Sequence, residues 1–286
     1  MSSRNAKRIK NLNGMEQIMI DLKPRRCDSF VYSHPNIDVT NLVKYINEKK
    51  QNGIHITFFH AFVMALGKVF YNRNKLNRFV QNRHVFEHND VVISFVAKVA
   101  FNDKAEEIMI MVPIKENDNI DSISNFIKEK VDGVRNKTSK KEGANDAIDT
   151  LGKLPNIIRI PVVGLLKWCD DKGILPSSLV KDNLYYSSTI VSNLGSIKSN
   201  AIHHNITNFG TCSSLVTMGE IKDKEVVDKD GIKEIRKVCD WGVAFDERVA
   251  DGFYLIKSLE LLQYILDHPT LLEDDANTKI DLPKKM

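Results

Sequence analysis

The stretch Trp241-Gly242-Val243-Ala244-Phe245-Asp246-Glu247-Arg248-Val249-Ala250-Asp251-Gly252-Phe253 decides the fold of this 286-residue chain. It opens apolar, as a buried strand does. Asp246, Glu247, Arg248 and Asp251 then crowd into a few residues. From Gly252 the period changes: Leu255, Ile256, Leu259, Leu262 and Leu266 recur at helical spacing to Asp267, and His268-Pro269 ends the run. A strand, a charged turn and an amphipathic helix in that order gather carboxylates and a guanidinium at a strand end. Such a group is either a structural ion-pair cluster or a reaction centre.

Working back, Ile232 to Phe245 is a long strand entered from a hairpin turn, Asp228-Lys-Asp-Gly231, and paired in sequence with a strand over Cys212 to Ile221. His203 and His204 stand in the polar loop before it. Leu184 to Ser192 is β-branched and aromatic, hence a strand, and Asn193-Leu194-Gly195-Ser196 is its turn. Leu151 to Lys172 reads as a helical region broken at Pro155 and Pro161 and stopped by Gly173, with a short helical turn over Pro176 to Lys181. Its run Ile157 to Trp168 is too short to span a bilayer and reads as a core or oligomer-contact helix.

The N-terminal half gives a loose basic arm over residues 1–14, a short strand at Ile18 to Leu22 and an extended stretch at Phe30 to Tyr32. A helix from Asn41 to Lys50, capped by Asp38 or Thr40, ends at Gly53; a second, capped by Thr57, runs to Tyr71. His60 within it reads as a packed histidine. Strands follow over Arg83 to Glu87, Val91 to Phe101 and Ile108 to Ile114, then a helix to Val134 and a loop over 136–147. Residues 271–286 form a polar tail, and no linker divides the chain, so one domain over 15–270 is expected.

Composition narrows the function. The net charge of +4 is small against 41 basic and 37 acidic residues, and is weak evidence for a nucleic-acid binder, which needs a concentrated basic face. Cys27, Cys169, Cys212 and Cys239 are far apart and lack zinc or redox spacing, no His/Cys/Asp/Glu group has metal-ligand spacing, and the N-terminus lacks the apolar core of a signal peptide. Free thiols in a cytoplasmic compartment, with no metal and no membrane span, are the expectation.

Two turns carry a resemblance. Ser192-Asn193-Leu194-Gly195-Ser196 resembles the Ser-Asn-hydrophobic-Gly turn of the catalytic domain of 2-oxo-acid dehydrogenase acyltransferases, and Asp246 to Gly252 resembles their Asp-His-Arg-x-x-Asp-Gly motif. Arg26-Cys-Asp-Ser-Phe30 resembles the Arg-x-x-x-Phe start of chloramphenicol acetyltransferase, which shares that fold. The resemblance spans about residues 15–270 and implies an α/β, two-layer α+β sandwich: a mixed β-sheet flanked by helices, chloramphenicol acetyltransferase-like. It also implies a homotrimer with active sites between subunits, where coenzyme A or acyl-CoA is substrate and the acyl acceptor is a small molecule or lipoyl-type group. The catalytic domain takes up the length, so no lipoyl attachment domain is expected in this chain.

By position, the resemblance makes Ser192 the oxyanion donor, places Asn193 and Gly195 on the coenzyme side, and pairs Asp251 with a buried arginine, Arg26 first and Arg25 second. The base position holds Glu247 where the family has histidine. An ordinary glutamate titrates near 4.3 and a thiol near 8.5, a mismatch of about 4 units or roughly 5–6 kcal/mol in proton transfer; a histidine near 6.5 halves it. His203 and His204 are alternative bases; His84 and His88 rank below them. Two functions stay open: acyl transfer between coenzyme A and a thiol or hydroxyl, or a trimeric binding or assembly relative that has lost catalysis. A lipid-surface role for residues 157–168 is the weakest reading.

Overall fold

The computed structural model describes residues 5–98, 107–135, 150–227 and 231–283. The expected loop at 136–147, the turn residues 228–230 and the end of the strand expected at Val91 to Phe101 lie outside the described residues. Ten strands are described: β1 Ala6–Arg8, β2 Phe30–Ser33, β3 Asn36–Asp38, β4 Arg78–Gln81, β5 His84–His88, β6 Val91–Lys98, β7 Glu107–Ile114, β8 Thr189–Asn193, β9 Ser214–Val227 and β10 Lys233–Asp246. The helices are α1 Gly14–Leu22, α2 Thr40–Gln51, α3 Phe58–Asn72, α4 Ile120–Arg135, α5 Asn156–Lys172, α6 Ser177–Val180 and α7 Gly252–Asp267.

The main sheet runs β2-β10-β9-β8-β6-β7, with β3 also on β10. It is mixed: β8 is parallel to both β9 and β6, while β10 is antiparallel to β9 and to β2. A smaller sheet orders β1-β5-β4. The expected sandwich of a mixed sheet and helices is the observed architecture. Helices α2, α3, α4 and α7 cover one face, because each turns an apolar stripe inward. The most enclosed is α3, buried from His60 to Phe70. Alternation along β10 sends Trp241, Val243 and Phe245 into this core, with the Trp241 ring 3.8 Å from that of Phe62.

Several expectations change. Ile18 to Leu22 is helical, because Asn13 and Glu16 form a reciprocal capping box that starts α1. The arm pairs with β5 over Ala6–Arg8. Pro161 does not break α5: the acceptor it forgoes belongs to Ile157 in the first turn, so the ladder loses one bond near its end. Leu184–Tyr186 is a 3-10 turn capped by Asn183, and the strand begins only at Thr189. The core reading of Ile157 to Trp168 does not hold, since Ile157, Ile160, Leu165 and Trp168 are exposed in the single chain. Among the described residues no helix is long and apolar enough to cross a membrane.

The polar segment after α7 is anchored to the core. Leu272 and Ala276 are buried, and the buried Lys68 ammonium donates to the carbonyls of Asp274 (3.0 Å) and Asp275 (2.6 Å). Substituting Lys68→Met is expected to cost about 1–3 kcal/mol, the usual range for stranding buried polar partners. The segment 271–282 should then be released first. Hydrogen exchange resolved by segment checks this: faster exchange confined to 271–282 is expected, and unchanged protection there would refute the anchoring role.

Candidate functional site

The charged turn after β10 is organised by Asp246. Its backbone N–H donates to the Ser213 carbonyl at 2.9 Å, which fixes the strand end. Its fully buried carboxylate accepts from Arg248 Nε (2.9 Å) and Nη2 (2.7 Å), from the Arg248 N–H (3.1 Å) and from the Ser29 hydroxyl (2.8 Å). Arg248 also donates to the carbonyls of Lys23 and Pro24. A bidentate pair inside the protein with its remaining donors satisfied is a rigid unit.

Arg26 is buried beside it, with its Nε 4.0 Å from Asp246 Oδ2. The rest of its guanidinium donates to the carbonyls of Thr207 (2.6 Å), Phe209 (3.2 Å) and Gly210 (2.8 Å). The expected pair with Asp251 is absent. Asp251 is exposed and caps α7, accepting from the Tyr254 N–H at 2.7 Å. The residue immediately before a helix directs its side chain at the free N–H groups of the first turn, which takes Asp251 away from Arg26. Arg25, the second choice, pairs with Asp28 at 2.8 Å.

Glu247 is half-buried. Its N–H donates to the Ser29 carbonyl at 3.0 Å, and its carboxylate accepts from Lys23 Nζ at 2.7 Å. This lysine contact lay outside the sequence reading; a single basic residue more than two hundred positions away leaves no local signal.

Ser192 lies half-buried near the far end of β8, and its hydroxyl makes no hydrogen bond within the described residues. The turn behind it is tight. The Leu194 N–H donates to Met218, Ser196 Oγ donates to the Asn193 carbonyl at 2.8 Å, and the Ser196 N–H donates to Asn193 Oδ1 at 3.2 Å. A Cβ on Gly195 would stand 2.5 Å from the Gly219 carbonyl oxygen, so this position requires glycine.

Register places the two turns apart. Ser192 pairs with Thr217, and Thr217 with Gly242. Because β9 and β10 are antiparallel, Glu247 lies five residues beyond Gly242 in the opposite direction, about 17 Å along the strand. Within one chain the structure does not bring Ser192 and Glu247 together.

The histidines do not close the gap. Ile202 covers the sheet next to Ser192, its carbonyl accepting from the Thr217 hydroxyl and lying against Gly242. His203 sits beyond it at β2, its Nε2 3.1 Å from the Ser33 carbonyl and its ring 5.4 Å from those of Tyr32 and His34. That is about three strand spacings, ~14 Å, from Ser192. His34 in turn lies 3.6 Å from Asp240. His204 is exposed. Burial holds His88 neutral, pushing its imidazole down to about 4, and His60 is part of the cap of α3. Among the described residues no group of three or more His, Cys, Asp or Glu could hold a metal ion.

Comparison with known proteins supplies the context for these turns. Residues 177–273 match the family profile of 2-oxoacid dehydrogenases acyltransferase (catalytic domain). No curated protein sequence matches the chain. A probable dihydrolipoamide acetyltransferase from Listeria monocytogenes is 17% identical, with a TM-score of 0.60 over 92% of this chain and 95% of that one. The cubic core of the pyruvate dehydrogenase multienzyme complex is 13% identical, with a TM-score of 0.61 over 92% and 93%. Chloramphenicol acetyltransferase is 10% identical, with a TM-score of 0.54 over 92% and 98%. The fold is therefore the one shared by these acyltransferases, and the matched segment contains both turns.

Proposed function

We propose that this acyltransferase-fold chain transfers an acyl group between coenzyme A and a thiol or hydroxyl acceptor, at a site formed between copies arranged as a trimer. The observation that carries the reading is the separation of the two motif turns. Among the described residues the Ser192 hydroxyl is unengaged at one end of the sheet, and Glu247 is held on a rigid frame at the other. A second copy joins them. Phe253, 73% exposed directly after the motif turn, and the exposed Ile256 give that copy an apolar surface.

In the proposed step the Glu247 carboxylate takes the acceptor's proton as its sulfur or oxygen attacks the thioester carbonyl. The tetrahedral oxyanion receives a hydrogen bond from Ser192. Collapse breaks the carbon–sulfur bond, and the departing coenzyme A thiolate takes the proton back from Glu247. The Asp246–Arg248 pair holds the turn in place and touches no substrate.

The Glu247–Lys23 contact supports a second reading, a relative that binds or assembles without catalysis. The carboxylate is already held by the Lys23 ammonium at 2.7 Å, a contact that serves a structural role without any proton transfer. Release of free thiol from acetyl-CoA by the wild-type protein, Ser192→Ala, Glu247→Gln and a mixture of the two variants separates them. Activity in the wild type, loss in each variant and partial recovery on mixing is the expected result. No release above background with several acyl-CoAs and acceptors would remove the catalytic reading. Activity without recovery on mixing would remove the shared site.

A further inference from the structure

Helix α5 carries apolar surface that no other described residue covers. Ile157, Ile160, Pro161, Gly164, Leu165 and Trp168 recur at steps of three and four, which puts them on one face. That face points outward: Ile157 is 85% exposed, Ile160 67%, Leu165 59% and Trp168 55%. Arg159 and Lys167, the charged residues within 157–168, fall outside this set. The inner side of the helix is apolar too. Beneath it lies a cleft of about 370 Å³ lined by Leu151, Val163, Leu166, Leu179, Tyr185 and Phe209. The side chains of Asn183, Thr207 and Asn208, also in its wall, are engaged within the protein. Asn183 accepts from the Tyr185 N–H and donates to the Leu179 carbonyl, Thr207 bonds to Phe209, and Asn208 bonds to Cys27. A helix that is apolar on both sides belongs in a core or in lipid.

Chemistry and size choose the occupant of the outer face. Residues 136–149, which precede this region in the chain, are NKTSKKEGANDAID, with Ile148 as their one large apolar side chain. That composition does not match an apolar strip of this length. A second copy of α5 would meet a strip one helix wide and about 18 Å long. This falls short of the about 800 Å² that each partner gives a stable protein–protein contact. The surround is cationic. Lys153, Arg159, Lys167 and Lys172 lie on α5 or in the turn before it, and none pairs with a carboxylate among the described residues. The two carboxylates of the helix are already engaged. Asp170 is buried and accepts from Gln81, Tyr186 and Gly210, and Asp171 accepts from the Asn82 N–H. An apolar strip flanked by uncompensated cations is complementary to an anionic lipid surface.

We infer that α5 docks this chain on the surface of an anionic lipid bilayer. The helix lies in the plane of the interface, with Ile157, Ile160 and Leu165 among the upper parts of the acyl chains and the Trp168 ring at headgroup level. The lysines beside it meet the lipid phosphates. The cleft under the helix, apolar and open at its side, continues the same surface and accepts the end of an acyl chain. This docking is separate from acyl transfer: it uses neither Ser192 nor the turn that holds Glu247.

The test is flotation of the full chain with vesicles of phosphatidylcholine alone or mixed with phosphatidylserine. Partition onto the mixed vesicles is expected, with a loss of roughly tenfold or more on phosphatidylcholine alone and in the double variant Ile160→Glu/Leu165→Glu. Both substituted residues are exposed, and circular dichroism establishes that the variant folds. Depth is read from fluorescence. The chain has two tryptophans, of which Trp241 is fully buried, so brominated acyl chains are expected to quench Trp168, and Trp168→Phe to lose that quenching. No partition, partition that the double variant retains, or partition without quenching would overturn the proposal. Equal partition onto phosphatidylcholine alone would overturn its anionic part. Self-association in sedimentation velocity that the double variant abolishes, without vesicle binding, would assign the face to a second copy instead. No arm of the test reads acyl transfer, so an absence of that activity leaves the inference standing.

Discussion

Asp246→Ala is expected to lower the stability of the chain by about 3–5 kcal/mol, the range for breaking a buried ion pair from one side. Two buried guanidiniums depend on this carboxylate. Arg248 binds it bidentately, and Arg26 lies 4.0 Å from it while donating to the carbonyls of Thr207, Phe209 and Gly210. Removing it leaves both cations buried, and the Ser29 hydroxyl keeps only its bond to the Arg26 carbonyl. Asp251→Ala, by contrast, removes an exposed helix cap, a change of about 1 kcal/mol. Urea unfolding midpoints at constant m-value compare the two directly. Equal losses, or a larger loss for Asp251, would mean that Asp246 is not the organiser of the turn. Asp246→Asn separates charge from shape: it keeps an acceptor for Ser29 and should fall near the alanine variant if the charge dominates.

The sequence ranks these two aspartates in the wrong order for a physical reason. The strand, turn and helix are local: β10 ends at Asp246 and α7 spans Gly252–Asp267, as apolar period and the His268-Pro269 stop require. Which aspartate meets Arg26 is not local. Alternation along β10 offered a clue, since Trp241, Val243 and Phe245 face the helices and Asp246 must then face the other side, where Ser29 and Arg26 lie. The Asn13–Glu16 capping box was a readable signal for α1 that the apolar run Ile18 to Leu22 obscured. The distance between Ser192 and Glu247 was beyond any local pattern. It depends on β8 and β9 being parallel while β10 runs against them, a consequence of chain crossovers and not of composition. The same holds for Lys23 on Glu247, more than two hundred positions away.

Glu247→His is expected to raise acyl transfer by two to four orders of magnitude, the usual contribution of a well-placed general base. The backbone argues that the new ring would be well placed. The Glu247 N–H is tied to the Ser29 carbonyl, the next residue is locked onto Asp246, and Val249 N–H closes the turn onto the Asp246 carbonyl at 3.2 Å. None of these contacts involves the Glu247 side chain, so the substitution leaves the frame intact. What changes is the proton affinity. Imidazole lies about 2 units closer to a thiol than an ordinary carboxylate does, roughly 3 kcal/mol in the proton-transfer equilibrium. Lys23, released from its partner, would stand beside the imidazole and favour its neutral form, the form that accepts a proton. Thiol release from acetyl-CoA, followed in the wild type, in Glu247→His and in Glu247→His combined with Ser192→Ala, measures the gain and its dependence on Ser192. A gain that vanishes when Ser192 is removed means that the two turns meet across subunits in a working geometry. An unchanged rate in a variant that keeps the wild-type assembly state would mean that the frame persists for assembly, with the Glu247–Lys23 pair as one of its structural contacts.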